Sequence, residues 1–145
     1  MKVVLQRVKK ASVTVEEKQV GKIDNGLLIL VGFTEGDKES QINWMINKIT
    51  NLRIFDDENK VMNLSVKDVK GSILSVSQFT LYADSKKGNR PSYINALGGE
   101  SAIKLYKLFN EKLRETNIPV EEGIFGADME VSLVNDGPVT IILEK

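Results

Sequence analysis

Asp24-Asn25-Gly26-Leu27-Leu28-Ile29-Leu30-Val31 decides how the rest of this chain is read. Asp, Asn and Gly make a turn, because their backbones reach left-handed conformations at little cost. The five apolar residues that follow do not alternate with polar ones. A strand wetted on one face alternates, and a strand covered on both faces does not. The run therefore predicts a central strand packed from both sides. Upstream, Val3-Val4-Leu5 with Val8, and then Val13 with Val15, predict two short strands. Residues 20–23 predict a third that leads into the turn. Downstream, Ile42, Met45, Ile46 and Ile49 fall at i, i+3, i+4 and i+7, one apolar stripe of a helix that Asp37 or Ser40 would cap.

The second half has the same texture. Residues 54–62 are turn-rich around Asp56-Asp57-Glu58-Asn59-Lys60, and residues 72–76 read as a strand. Residues 83–99 form a polar loop. Residues 100–116 form a second helix with Ala102, Tyr106, Phe109 and Leu113 as its buried stripe, ended by Asn117-Ile118-Pro119. Met129, Val131 and Leu133 alternate, and residues 139–143 are apolar. Asn135-Asp136-Gly137-Pro138 lies between them and predicts two strands joined by a tight turn. The expected fold is α/β. One domain spans residues 1–145, with a mixed, largely antiparallel sheet curled toward a barrel and two main helices packed outside.

Composition excludes several kinds of chemistry. The chain has no His and no Cys, so it has no disulfide, no thiolate zinc site, no Cys nucleophile and no Ser-His-Asp triad. No metal and no cofactor is expected. Twenty basic and 20 acidic residues cancel, which argues against a basic nucleic-acid coat but permits a local patch. The N-terminal MKVVLQRVKKASVTV has no apolar core of a signal sequence, and the run 27–31 is far too short to span a bilayer. The expectation is a cytoplasmic protein with no membrane partner.

Chemistry must then run on hydroxyls, amides, carboxylates, Lys, Arg, backbone dipoles or the substrate itself. Gly137-Pro138 reads first as turn chemistry. It has a second reading, because Gly lets a ligand approach the backbone and an X–Pro bond can be cis. A cis bond would aim two carbonyls in directions that a trans bond cannot reach. Ser77-Gln78-Phe79-Thr80 reads as a polar strand end with Phe79 in the core. It also reads as a set of hydroxyls, an amide and backbone N–H groups able to hold a carbonyl or an oxyanion. Thr80 as a nucleophile lacks a base nearby in sequence. Lys86, Lys87 and Arg90 are either solvated surface or contacts to a nucleic-acid backbone. Phe125-Gly126-Ala127-Asp128-Met129 is either a bulge or room for a flat group stacked on Phe125. Arg7, among apolar strand residues, faces solvent or ties a neighbouring segment through its fork of donors.

Taken together, these segments resemble the D-aminoacyl-tRNA deacylase family over essentially the whole chain. The resemblance is carried by Val4-Leu5-Gln6-Arg7-Val8, Ala11-Ser12-Val13, Met62-Asn63-Leu64-Ser65-Val66 and Lys87-Gly88-Asn89-Arg90-Pro91-Ser92. It is carried above all by two signature motifs, one running from Ser77-Gln78-Phe79-Thr80 into Leu81-Tyr82-Ala83-Asp84, the other Asn135-Asp136-Gly137-Pro138-Val139-Thr140. Tyr93 and Glu122 stand where the resemblance leads one to expect Phe and Thr. The resemblance implies a homodimer with active sites at the subunit interface. It implies hydrolysis of the ester joining a D-amino acid to the 3′-terminal adenosine of tRNA. Gly137-Pro138 would be cis, reach into the partner's pocket and leave no room for an L side chain; glycyl-tRNA would still enter. Ser77, Gln78, Phe79 and Thr80 would line the other wall, and the tRNA 2′-hydroxyl would assist the water. Phe125, Ala127 and Met129 would meet the adenosine, and Arg7 would brace the Gly-Pro segment. One rival is a nucleic-acid-binding module built on loop 86–90, against which the zero net charge counts; another is a Thr80-dependent hydrolase with an acyl-enzyme.

Overall fold

A computed structural model describes all residues 1–145. Its spine is β1 (Lys2–Val15), one strand of 14 residues. Along one edge β1 pairs antiparallel first with β3 (Gly26–Gly32) and then with β2 (Lys18–Ile23). Helix α1 (Glu39–Asn51) and a small hairpin of β4 (Phe55–Asp56) and β5 (Met62–Leu64) follow β3. Strand β6 (Ser72–Ser77) then pairs parallel with β3. After α2 (Gly99–Arg114), β7 (Val120–Glu122) pairs parallel with β6. The last strand, β8 (Glu130–Glu144), runs antiparallel along the other edge of β1. The sheet curls until β2 nears β7: a Cβ on Gly21 would sit 3.1 Å from the Glu122 carbonyl. This is the mixed, curled sheet with two helices that the sequence predicts.

The apolar run of β3 explains the layering. Leu27, Ile29 and Val31 face a core shared with Ile42, Met45 and Ile49 of α1 and Phe109 and Leu113 of α2. Leu28 faces a second core inside the curl, with Val8, Val13, Ile23, Leu74 and Val76. Both faces are covered, so neither tolerates a polar residue. Burying each of these side chains contributes about 1.5–3 kcal/mol relative to leaving it in water.

Three expectations change, and one strand is new. The two N-terminal strands are one. Arg7 and Val8 are both buried and Lys9 and Lys10 both exposed, so the inward phase switches where β1 passes from one core to the other. That break in alternation imitates a strand end. The C-terminal hairpin is also one strand, because both halves pair with β1 in the same direction. Gln6 faces Thr140 and Val8 faces Asn135, so residues 136–139 stand out as a bulge where the register slips. Neither Asp37 nor Ser40 caps α1. Asp37 accepts from the Thr34 N–H at 2.8 Å, and the Gln41 side chain accepts from Lys38 N–H at 3.0 Å instead. Strand β7 had no alternation to reveal it.

Candidate active site

Three parallel strands stop at one place. The C-terminal ends of β3 and β6 and the segment 125–129 beyond β7 surround a cavity of about 290 Å³, closed on another side by Leu97 and Ala102. Ligands in sheets of this kind bind beyond the carboxyl ends of the strands, where backbone groups run out of partners. Here the first group past β6 is fixed: Gln78 N–H donates to the Val31 carbonyl at 2.7 Å. Ser77, Gln78 and Phe79 line the cavity, and so do Phe125, Ala127 and Met129. Thr80 is not among the lining residues. It lies in a single 3-10 turn, Phe79–Tyr82, and its hydroxyl accepts from the Gln78 amide. Phe79 is not in the core; it is 54% exposed and meets Tyr93 edge-on at 5.1 Å.

The walls are tied together from behind. The Ser75 carbonyl accepts twice, from the Gly123 N–H at 2.9 Å and from the Tyr106 hydroxyl at 2.9 Å. One atom thus joins β6, the end of β7 and α2. The Tyr106 ring in turn packs on Phe125 at 5.8 Å. Burial pushes the Tyr106 phenol above its ordinary pKa, partly opposed by hydrogen bonds with Ser75 and Asn110, so it stays a donor. Asn110 donates to Glu122 and leaves its own Oδ1 buried without a partner. Gly123 packs closely on the cavity wall: a Cβ there would lie 2.6 Å from the Met129 sulfur, so that side chain would have to move.

Gly137-Pro138 sits elsewhere. It tops the β8 bulge, its peptide bond is cis, both residues are exposed, and neither lines this cavity. The bulge is closed at its base by Asn135, which accepts from Val139 N–H at 3.1 Å and donates to the Thr140 hydroxyl at 3.0 Å. Arg7, only 6% exposed, holds it from below. Its Nε donates to the Asp136 carbonyl at 3.2 Å and its Nη1 to the Ile54 carbonyl at 2.6 Å. The Asp136 carboxylate lies 3.3 Å from the same Nε. Gly137 has φ +117°, and a Cβ would come within 2.9 Å of Arg7 Nη2. Lys86, Lys87 and Arg90 lie in an exposed loop outside the cavity lining.

Sequence reasoning passed over Asp128, the one acid lining the cavity, although it stands in the quoted small-residue stretch. It also read Tyr106 as helix stripe alone. A stripe Tyr facing a strand carbonyl is the signal that was available. No group of three or more His, Cys, Asp or Glu side chains that could hold a metal ion is present. No helix is long and apolar enough to cross a membrane.

A strand-end cavity of this kind on a curled sheet defines a small α/β protein with a backbone-rich site, and comparison with known proteins gives the family. The D-Tyr-tRNA(Tyr) deacylase family model matches residues 4–144. A D-aminoacyl-tRNA deacylase of Flavobacterium psychrophilum is 61% identical over 146 residues, covering 100% of this chain and 97% of that one. One of Exiguobacterium sp. is 57% identical, covering 100% and 99%. A solved structure described as a c-Myc DNA unwinding element binding protein superposes with a TM-score of 0.94 at 44% identity, covering 100% and 99%. The chain belongs to the D-Tyr-tRNA(Tyr) deacylase family and is a hydrolase.

Proposed function

We propose that the chain hydrolyses D-aminoacyl-tRNA, that glycyl-tRNA also enters, and that two copies of the chain complete each site. Water adds to the ester carbonyl, the bond to the ribose 3′-oxygen breaks, and free D-amino acid and tRNA leave. The observation that carries the reading is the separation of the two signature motifs. Ser77, Gln78 and Phe79 line a recess, while Gly137-Pro138 projects outside it on an Arg7 brace. A projection and a recess on one chain fit as a pair across two copies. Ile142, 67% exposed on β8 opposite Val4, offers apolar surface for that contact. Phe125, Ala127 and Met129 take the terminal adenosine; Ser77, Gln78 and Phe79 take the aminoacyl group. The partner's Gly-Pro carbonyls fill the space of an L side chain, so chirality is read by obstruction. With no His in the chain, the tRNA 2′-hydroxyl assists the attacking water.

Incubation with D-tyrosyl-tRNA and L-tyrosyl-tRNA in chelator tests this. Loss of the D ester alone is expected. Hydrolysis of the L ester with the D ester intact would reject the reading. A second reading, nucleic-acid binding without catalysis, draws on the exposed cations of loop 86–90 and on the DNA-binding description of the solved relative. It requires steeply salt-dependent binding to plain RNA or DNA with both esters spared.

A further inference from the structure

We propose that Tyr93 and Ile94, with the loop 84–92 beside them, form a platform for the single-stranded 3′ end of tRNA upstream of its terminal adenosine. The inference rests on the deacylase reading above. Ile94 is 87% exposed, more than any other large apolar side chain of the protein, and Tyr93 is 42% exposed. Lone exposed apolar side chains are ordinary, but a contiguous apolar patch rimmed by polar residues marks an interaction site. Tyr93 meets Phe79, and Phe79 lines the cavity, so this apolar surface continues the cavity wall outward.

The platform is held in place. Asp84 and Ser92 exchange two backbone hydrogen bonds, 2.8 and 2.9 Å, which close the loop at the residue before Tyr93. Beyond Ile94, the Thr34 hydroxyl donates to the Asn95 carbonyl at 2.6 Å, and Leu97 N–H donates to the Phe33 carbonyl at 2.9 Å. Lys86, Lys87 and Arg90 are all exposed on the closed loop. The only acid in 84–94 is Asp84, whose carboxylate accepts from Lys86 N–H at 3.0 Å.

Aromatic and apolar surface joined to cations suits unpaired nucleotides, whose bases stack while their phosphates find the positive charge. A duplex hides its base faces. A second copy docking patch to patch would bring two sets of three cations together, at a cost in repulsion.

The test compares D-tyrosyl-tRNA with the D-tyrosyl ester of adenosine, which lacks the upstream nucleotides. Wild type is set against Tyr93→Ala, Ile94→Asp and the triple variant K86A/K87A/R90A. Tyr93→Ala is expected to raise KM for the tRNA about tenfold with kcat unchanged, and to leave the nucleoside ester unaffected. Ile94→Asp, at an exposed position that does not threaten folding, acts the same way by repelling phosphate. The triple variant lowers the slope of log KM against log salt by about 2. Equal losses on both substrates would overturn the platform, since Tyr93 would then merely shape Phe79. Dissociation into monomers by Tyr93→Ala or Ile94→Asp in sedimentation would also overturn it, in favour of a second copy as occupant. If wild type cleaves neither ester, the deacylase reading itself fails and the platform with it; the other two failures leave that reading standing.

Discussion

The Ser77-Gln78-Phe79 end of β6 and the Gly137-Pro138 bulge of β8 are built by opposite means. The first is a recess made where strands stop. Its shape is held by a buried carbonyl, Ser75, that accepts from two elements at once. The second is a projection made where a strand continues past a slip in register. Its shape is held by a buried cation, Arg7, that donates to the bulge and to Ile54. On the proposed reading the recess decides what is held and the projection what is refused. On that reading, a chain without His or Cys places its selectivity in backbone position. The side chains that matter most are then those that hold backbone still.

Gly137→Ala breaks the projection alone and has the largest expected effect. The residue sits at φ +117°, and its Cβ would meet Arg7 Nη2 at 2.9 Å. A strained backbone position of this kind costs about 1–3 kcal/mol, and displacement of the tip adds to it. Hydrolysis of D-tyrosyl-tRNA is expected to fall about 100-fold, each tenfold being about 1.4 kcal/mol. Binding of uncharged tRNA, which on the proposed reading uses the recess, stays within about twofold of wild type on the same scale. Unchanged hydrolysis would remove the obstruction model.

Arg7→Ala reaches the same bulge from beneath. It strips a donor from the buried Ile54 carbonyl, worth about 1–3 kcal/mol when left unpaired, and another from the part-buried Asp136 carbonyl. Urea unfolding should show a loss of about 3 kcal/mol, with hydrolysis reduced in parallel. Arg7→Lys should recover little, because one ammonium cannot reproduce the fork. An Arg7→Lys variant with wild-type stability would show that charge alone suffices.

Tyr106→Phe tests the recess. Ser75 keeps its bond from Gly123, so the stability loss is held to about 1 kcal/mol. The KM for D-tyrosyl-tRNA is expected to rise as Phe125 loosens, with kcat nearly constant. A fall in kcat at constant KM would place the phenol in the reaction instead. The same phenols set an alkaline limit. Burial pushes Tyr82 up to about 12, and it pushes Tyr106 up as well. Their folded forms keep protons that the unfolded chain releases near pH 10. The Tyr82 contribution to stability is therefore complete below about pH 10 and is lost as pH climbs toward about 12, and the Tyr106 contribution is likewise lost on the alkaline side. Urea midpoints at pH 9 and 11 should differ less in Tyr106→Phe than in wild type. The smallest effect is expected of Thr80→Ala, since the hydroxyl is bonded to Gln78 and lies off the cavity lining. Turnover should stay within about threefold, under 1 kcal/mol. Its abolition would revive an acyl-enzyme on Thr80.

The helices were legible because their stripes answer to one core each, and Ile42, Met45, Ile46 and Ile49 are all buried as read. The unbroken run of β3 was legible for the opposite reason, having a core on each face. What escaped were places where one strand serves two cores. At Arg7-Val8-Lys9-Lys10 the inward phase changes, and alternation fails without the strand ending. Asn135-Asp136-Gly137-Pro138 has every residue of a hairpin turn. Only the length of β1, invisible from within the segment, keeps β8 running on as one strand. The site divides in the same way. Both motifs could be read as segments, but their separation in one chain, and the tie from Tyr106 to Ser75, depend on long-range contacts that no local pattern encodes.

The pairing of β1 with β8 also bears on how the molecule is made. Strand β1 is synthesised well before β8, so one whole edge of Lys2–Val15 stays open until Glu130–Glu144 leaves the ribosome. An open edge of that length is a template for any passing strand. Closure across nearly the full chain is slow, because its loop entropy falls due before any contact repays it. The nascent chain is therefore exposed to mispairing at this edge until β8 is complete.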